Sequence, residues 1–235
     1  MRIIEQSHEI IDPINGLEIL NKIEKAARIC YKSEEKICFV KCPKCSSDNG
    51  CKWEKWHSIL KMVPSSLPFI DKLLHQTHHE SVIEHVNISV KFVTARSVTH
   101  ELCRHRLMSF SQESTRYCSY AKEKFGKEIT VIKPVWYDLN DLGASRVWEI
   151  SMQRSERDYF DLLELKWAPE KAREVLPNSL KTEILCTGNL REWIHVLKLR
   201  TSKKAHPQIR ALMIGLLKEF QEKIPVIFED IVVEE

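Results

Sequence analysis

Glycine is scarce in this chain, six residues in 235, and that shortage excludes the usual ways of cradling a phosphate with backbone. GxGxxG and GxxxxGK[ST] both need closely spaced glycines, because a residue without Cβ lets backbone N–H groups close on the phosphate. Neither pattern occurs here. A nucleotide bound to this chain is therefore to be held by side chains.

Long apolar runs are missing too. No stretch approaches the roughly 20 residues that a membrane span requires. The N-terminal MRIIEQSHEIIDPINGLEIL has two acids in its first nine residues and no basic region ahead of an apolar core, so no signal peptide is expected. Cytoplasm is the default, and there the eight cysteines should be thiols or metal ligands, not disulfides. A dominant charge is also absent. With 36 basic and 33 acidic side chains the net charge is +3, too even for a general nucleic-acid coat, although a local basic patch stays open.

What is present looks globular: 43% hydrophobic and 29% charged residues. Helical spacing runs through residues 17–33, with Leu20, Ile23, Ala27 and Cys30 on one face, and resumes at 68–80 behind Pro68. Residues 2–6 have β character, 86–92 alternate as a half-buried strand, and 128–134 form a short strand closed by proline. Helices are expected near 94–107, 146–167, 169–176, 190–200 and 206–223. Without repeats or a linker, the expectation is one α+β domain over residues 1–235, with a mixed helical core and a small antiparallel sheet. A Cys-rich insertion spans about 34–58.

The densest chemistry is RHRLMSFSQESTRY at 104–117, with three arginines, a histidine, four Ser and Thr hydroxyls and one Tyr in fourteen positions. Guanidinium forks suit phosphate and carboxylate oxygens, and hydroxyls add directional bonds, so the stretch is read as an anion site running from the last turn of a helix into a loop. HHESVIEH at 78–85 offers His79, Glu84 and His85 as conceivable zinc ligands, but HExxH is absent, and a polar loop edge touching a ligand is the better reading. The insertion carries Cys38, Cys42, Cys45 and Cys51, with His57 nearby. That spacing suits zinc or, for the first three, an iron–sulfur site, while free thiols in an exposed loop remain the competing reading.

Arg104, His105, Arg106, Ser109, Ser114, Arg116 and Tyr117 stand in the pattern RHRxxSxxxxSxRY, which resembles the signature of flavin-dependent thymidylate synthases. HESVIEH, AREVLPNSLKT, GNLREWIHVLKLR and AHPQIR are similar to other blocks of that family, in order, and the likeness covers most of residues 17–33 and 68–223. The resemblance implies an α+β homotetramer with sites at subunit interfaces. It implies a methyltransferase that converts dUMP to dTMP with FAD, 5,10-methylenetetrahydrofolate as carbon donor and NADPH as reductant, and without a protein nucleophile. By resemblance, Ser81, Arg104, His105, Arg106, Gln112, Asn189, Leu190, Arg191 and His195 are flavin contacts. Glu101, Arg104, Gln112, Glu113, Ser114, Thr115, Arg116, Arg173 and Arg200 are dUMP contacts, with Arg200 the activating residue. Glu101 stands where many members carry Gln, and a carboxylate there needs a cation to offset it. Two other readings compete: a zinc-knuckle nucleic-acid binder, which would have steep salt dependence and no chromophore, and a flavin-binding scaffold without activity.

Overall fold

A computed structural model describes residues 1–43, 51, 53–58, 61–141 and 143–234. The strands are β1 (Arg2–Ile4), β2 (Ser7–Ile10), β3 (Phe39–Lys41), β4 (Met62–Pro64), β5 (Asn87–Ala95), β6 (Ser109–Gln112), β7 (Thr130–Ile132) and β8 (Lys181–Asn189). The helices are α1 (Gly16–Ile29), α2 (Ser66–His75), α3 (Arg96–Leu102), α4 (Ala144–Glu164), α5 (Pro169–Ala172), α6 (Leu190–Arg200), α7 (Pro207–Lys223) and α8 (Pro225–Phe228).

A four-stranded antiparallel sheet in the order β2-β5-β8-β6 organises the molecule. β5 and β8 pair over nine positions, from Asn87 opposite Asn189 to Ala95 opposite Lys181. Ile88, Val90 and Phe92 on one strand and Thr182, Ile184 and Cys186 on the other point into the core. A slip of one residue would turn both rows outward, so burial fixes the register. β1 and β7 form a parallel pair, and β3 and β4 an antiparallel one.

Asn15 caps α1 by accepting N–H bonds from Leu17 and Glu18 at 3.2 and 3.3 Å. Leu20, Ile23 and Ala27 bury as the spacing predicts, but the helix stops at Ile29 and Cys30 is exposed. Glu24 and Arg28 are buried as well, which spacing alone does not reveal. Trp193 of α6 packs against Phe92 and Phe220, and its indole N–H donates to the Ile88 carbonyl at 3.0 Å, tying helix to sheet. A second cluster, with Tyr120, Ile129, Val131, Met152, Tyr159 and Leu180, lies under α4. Of α4 only Ser145, Met152 and Tyr159 are buried, one narrow stripe.

The structure differs from the sequence expectations at several elements. The helix expected over 68–80 ends at His75, and Glu80–His85 is a 3-10 turn. The helix expected over 169–176 is α5 followed by a 3-10 turn, Arg173–Val175. The expected helix near 94–107 stops at Leu102, and the segment expected as loop becomes β6, paired with β8. β8 itself was not expected. Among the described residues no helix is long and apolar enough to cross a membrane.

Candidate active site

α3 leaves the end of β5 and α6 leaves the end of β8, so antiparallel pairing starts the two helices at opposite ends of the strands. Their C-terminal turns meet, and there Arg200 is gripped on three sides. Its Nη1 donates to Glu101 Oε2 at 2.6 Å, its Nη2 to the Glu101 carbonyl at 2.9 Å, and its Nε to His105 Nε2 at 3.0 Å. A guanidinium has five N–H donors, so two remain for a ligand. The cation that Glu101 needs is thus Arg200, and the carboxylate acts here as the arginine's holder.

His105 is buried, and because Arg200 is always a donor, its Nε2 must accept; the ring proton then sits on Nδ1, 3.6 Å from Glu192 Oε1. The His195 ring stands edge-on at 5.8 Å. Burial first, then the positive fields of Arg200 and His195, lower the His105 pKa from 6.5 to about 4. Between those values the unfolded chain takes up a proton on this residue that the folded chain refuses, so stability is lost as pH falls through that window and unaffected above it. Urea midpoints at about pH 7 and about pH 5 should therefore separate more for the wild type than for His105→Asn. Equal separations would show that His105 is not neutral in the fold.

Arg104 and Arg106 flank His105 but project into solvent, so the three residues do not fan around a helix; they sit on a turn with the ring inward and both guanidinium groups outward. Met108 closes that turn across Gly188 of β8, where an added Cβ would lie 2.8 Å from the Met108 methyl. A side chain there would have to displace the flexible end of Met108.

On the α6 face, Asn189, Arg191, Ile194, His195 and Lys198 line a cavity of about 720 Å³ shared with Glu80, Glu84, Leu107 and Glu192. Asn189 caps the helix by accepting the Glu192 N–H at 2.9 Å. Arg191 bridges Glu80 at 3.2 Å and Glu84 at 2.6 Å. These pairs are exposed and screened by solvent, so an anionic ligand can displace them. Ser81 is exposed on the turn that carries both glutamates. Leu190, expected among the flavin contacts, is fully buried with its N–H donating to the Val86 carbonyl, so its side chain faces the core. His79, Glu84 and His85 do not form a potential metal cluster among the described residues.

The second half of the motif forms another centre. Ser114 Oγ accepts the Arg116 N–H at 3.3 Å, and Arg173 Nη1 donates to the buried Thr115 hydroxyl at 3.4 Å. Arg116 lies half exposed, 4.0 Å from Glu170 and 5.4 Å over the Tyr117 ring. Arg173, from a distant segment, thus reaches the motif's Thr115 hydroxyl, next to Arg116 in the chain. Gln112 and Glu113 are already engaged. Gln112 donates to Thr99 at 2.9 Å and to Thr182 at 3.3 Å, and Glu113 accepts from Lys181 at 3.1 Å and from Tyr120 at 3.2 Å. Burial first, then the Glu113 charge, hold the Tyr120 phenol protonated far above its ordinary range. The sequence reading missed Glu192, Thr99 and Thr182, whose roles arise only from contacts across the fold.

In the insertion, Cys38 stands outside the group formed by Cys42, Cys51 and His57, and Cys45 lies outside the described residues.

Fold and site together present an α+β frame carrying exposed arginines and hydroxyls at two centres. Residues 17–226 match the family described as thymidylate synthase complementing protein. The chain is similar to the flavin-dependent thymidylate synthase of Geobacter sulfurreducens, 33% identical over 167 residues that cover 69% of this chain and 68% of the relative. It is also similar to that of Mycobacterium tuberculosis, 36% identical over 167 residues, with 65% and 64% covered, so it spans just under two thirds of the mycobacterial length. Among solved structures, a UMP/dUMP methylase from Streptomyces cacaoi bound with 5-Br dUMP has a TM-score of 0.69 at 22% identity, covering 97% and 96% of the two chains. Thymidylate synthase X from Helicobacter pylori, with FAD and dUMP, has a TM-score of 0.66 at 22% identity, covering 97% and 100%. The chain belongs to the flavin-dependent thymidylate synthase family of enzymes.

Proposed function

We propose that this chain converts dUMP to dTMP, with 5,10-methylenetetrahydrofolate as carbon donor, NADPH as reductant and FAD as bound cofactor. The observation that carries the reading is Arg200, fixed by Glu101 and His105 with two N–H donors left over. The relatives named as flavin-dependent thymidylate synthases support it. So does the fold shared with a Helicobacter pylori enzyme that holds FAD and dUMP.

The residues lining the large cavity fit a flavin nucleotide. Arg191 and Lys198 offer donors for its phosphates, the uncommitted amide of Asn189 and the His195 ring offer polar contacts, and Leu107 and Ile194 offer apolar cover. Ser81, Arg104 and Arg106 line its approach in this reading. FAD, when bound, supplies the reducing equivalents.

Arg116, Arg173, Ser114 and Thr115 take the dUMP phosphate, replacing backbone cradling that a glycine-poor chain cannot offer. Arg200 presents its remaining N–H groups to the uracil ring and stabilises negative charge developing there. Its grip by Glu101 means no reorganisation is needed at that moment. Neutral His105 accepts from Arg200 and adds no second positive charge. No thiol is required as nucleophile. Burial pushes the Cys186 thiol up to about 12 and raises Cys103 as well, so neither is a thiolate near neutrality.

The reading treats residues 1–235 as one domain with an insertion, acting in the cytoplasm as a homotetramer with sites at subunit interfaces. In a paired titration, Arg116→Ala is expected to weaken dUMP by about 10–100-fold, the loss of one charge-assisted phosphate contact, with FAD affinity unchanged. Equal loss of both ligands would remove the phosphate from this centre.

A further inference from the structure

The insertion between α1 and α2 packs onto the core. Trp53 is 1% exposed and Cys42 is 4% exposed, and both belong to the main hydrophobic cluster. Lys55 donates to the Glu222 carbonyl at 2.7 Å, and the Cys38 N–H donates to Ser65 Oγ at 3.1 Å. Within the insertion Cys38 is exposed, and of its described cysteines only Cys42 and Cys51 are drawn towards the core. Something must specify its shape, because the β3–β4 pair is only three residues long on each side.

Three soft donors meet there. Cys42 follows β3, with its N–H on the Lys61 carbonyl at 3.1 Å. Bonds of Glu54 N–H to Cys51 O at 2.9 Å and of His57 N–H to Glu54 O at 3.0 Å draw the imidazole back towards the cysteine. The Cys51 Sγ lies 3.4 Å from Cys42 Sγ and 3.2 Å from His57 Nε2. All three donor atoms fall within 4.8 Å of one another.

We propose that Cys42, Cys51 and His57 bind a zinc ion that fixes the shape of the insertion. Zinc–sulfur bonds of about 2.3 Å and zinc–nitrogen bonds of about 2.0 Å at tetrahedral angles set donor separations of about 3.8 Å between sulfurs and about 3.5 Å between sulfur and nitrogen. The observed separations are a few tenths of an ångström shorter and need only side-chain adjustment. A disulfide would need the sulfurs at about 2.05 Å. On ligation each thiol gives up its proton to solvent, His57 enters as the neutral imidazole through Nε2, and two thiolates offset the dication. The three side chains fill three of the four tetrahedral positions, and Cys38 lies apart from them. The ion is structural and independent of the proposed reaction at the arginines.

The test uses the full chain, purified, stripped with chelator and reloaded with zinc chloride before desalting. About one zinc per chain is expected by elemental analysis, falling at least tenfold in Cys51→Ser and in His57→Ala. Cobalt loading should give a thiolate-to-metal charge-transfer band in the wild type that Cys51→Ser lacks. If either variant fails to fold, X-ray absorption at the zinc edge of the wild type decides, with at least two sulfurs and one nitrogen expected around the metal. Wild-type protein that takes up no zinc after reloading would overturn the proposal. So would a Cys42–Cys51 disulfide in the intact mass, zinc undiminished in a folded variant, or an edge spectrum with oxygen ligands only.

Discussion

Arg200→Ala is expected to lower kcat for dTMP formation by about 10²–10³-fold, the scale on which removing one fixed donor to a developing negative charge acts. The effect follows from how the guanidinium is held. Glu101 takes two of its N–H groups through side chain and backbone, and His105 takes a third. A side chain immobilised in this way spends no binding free energy on ordering at the transition state, and that advantage disappears with it. Lysine keeps the charge but not the fork, so Arg200→Lys should stay well below wild type. A purely structural role makes a different forecast: thermal midpoint and FAD retention would fall together with rate. An activating role instead requires flavin to remain bound while turnover collapses. A variant with normal kcat would sink the assignment.

The largest stability effect is expected at Glu24→Ala in α1. Glu24 is 1% exposed and grips Arg28 through Nε at 2.8 Å and Nη2 at 2.6 Å. Its other oxygen accepts the Ser65 hydroxyl at 3.0 Å, and Arg28 lies 4.3 Å over the Phe69 ring. Removing the carboxylate leaves a buried guanidinium without its counter-charge, which costs about 3–5 kcal/mol. For a chain of this size that corresponds to a drop of roughly 10 °C in thermal midpoint. Removing the cation as well, in Glu24→Leu with Arg28→Met, should recover much of the loss, since apolar residues of similar volume can replace a buried ion pair. A Glu24→Ala chain within about 1 kcal/mol of wild type would mean that solvent reaches Arg28.

Which parts were legible in the sequence follows from which interactions are local. α1, α6 and α7 were readable because apolar residues recur at helical spacing, and β5 because Ile88, Val90 and Phe92 alternate with outward residues. β8 escaped because its inward positions are Thr182, Ile184, Cys186 and Gly188, only two of them strongly apolar. β6 is four residues, SFSQ, and exists because β8 offers it an edge. Glu24 and Arg28 have the i,i+4 spacing of an ordinary solvent-facing pair, and nothing local shows that Ser65 and Phe69 will cover them. The site was legible as a motif and not as geometry. Arginine and serine density between 104 and 117 marked an anion site, but the contacts of Arg200 with Glu101 and His105 join residues 99 and 95 apart in sequence.

In the proposed reaction, flavin and deoxynucleotide meet at the arginines and His105. The direct measurement is the visible absorption spectrum of purified protein, loaded with FAD and freed of excess cofactor, before and after dUMP. A retained flavin band that shifts on addition of dUMP is the result expected here. A colourless protein that dUMP leaves unchanged would contradict the claim and turn attention to salt-dependent polynucleotide binding.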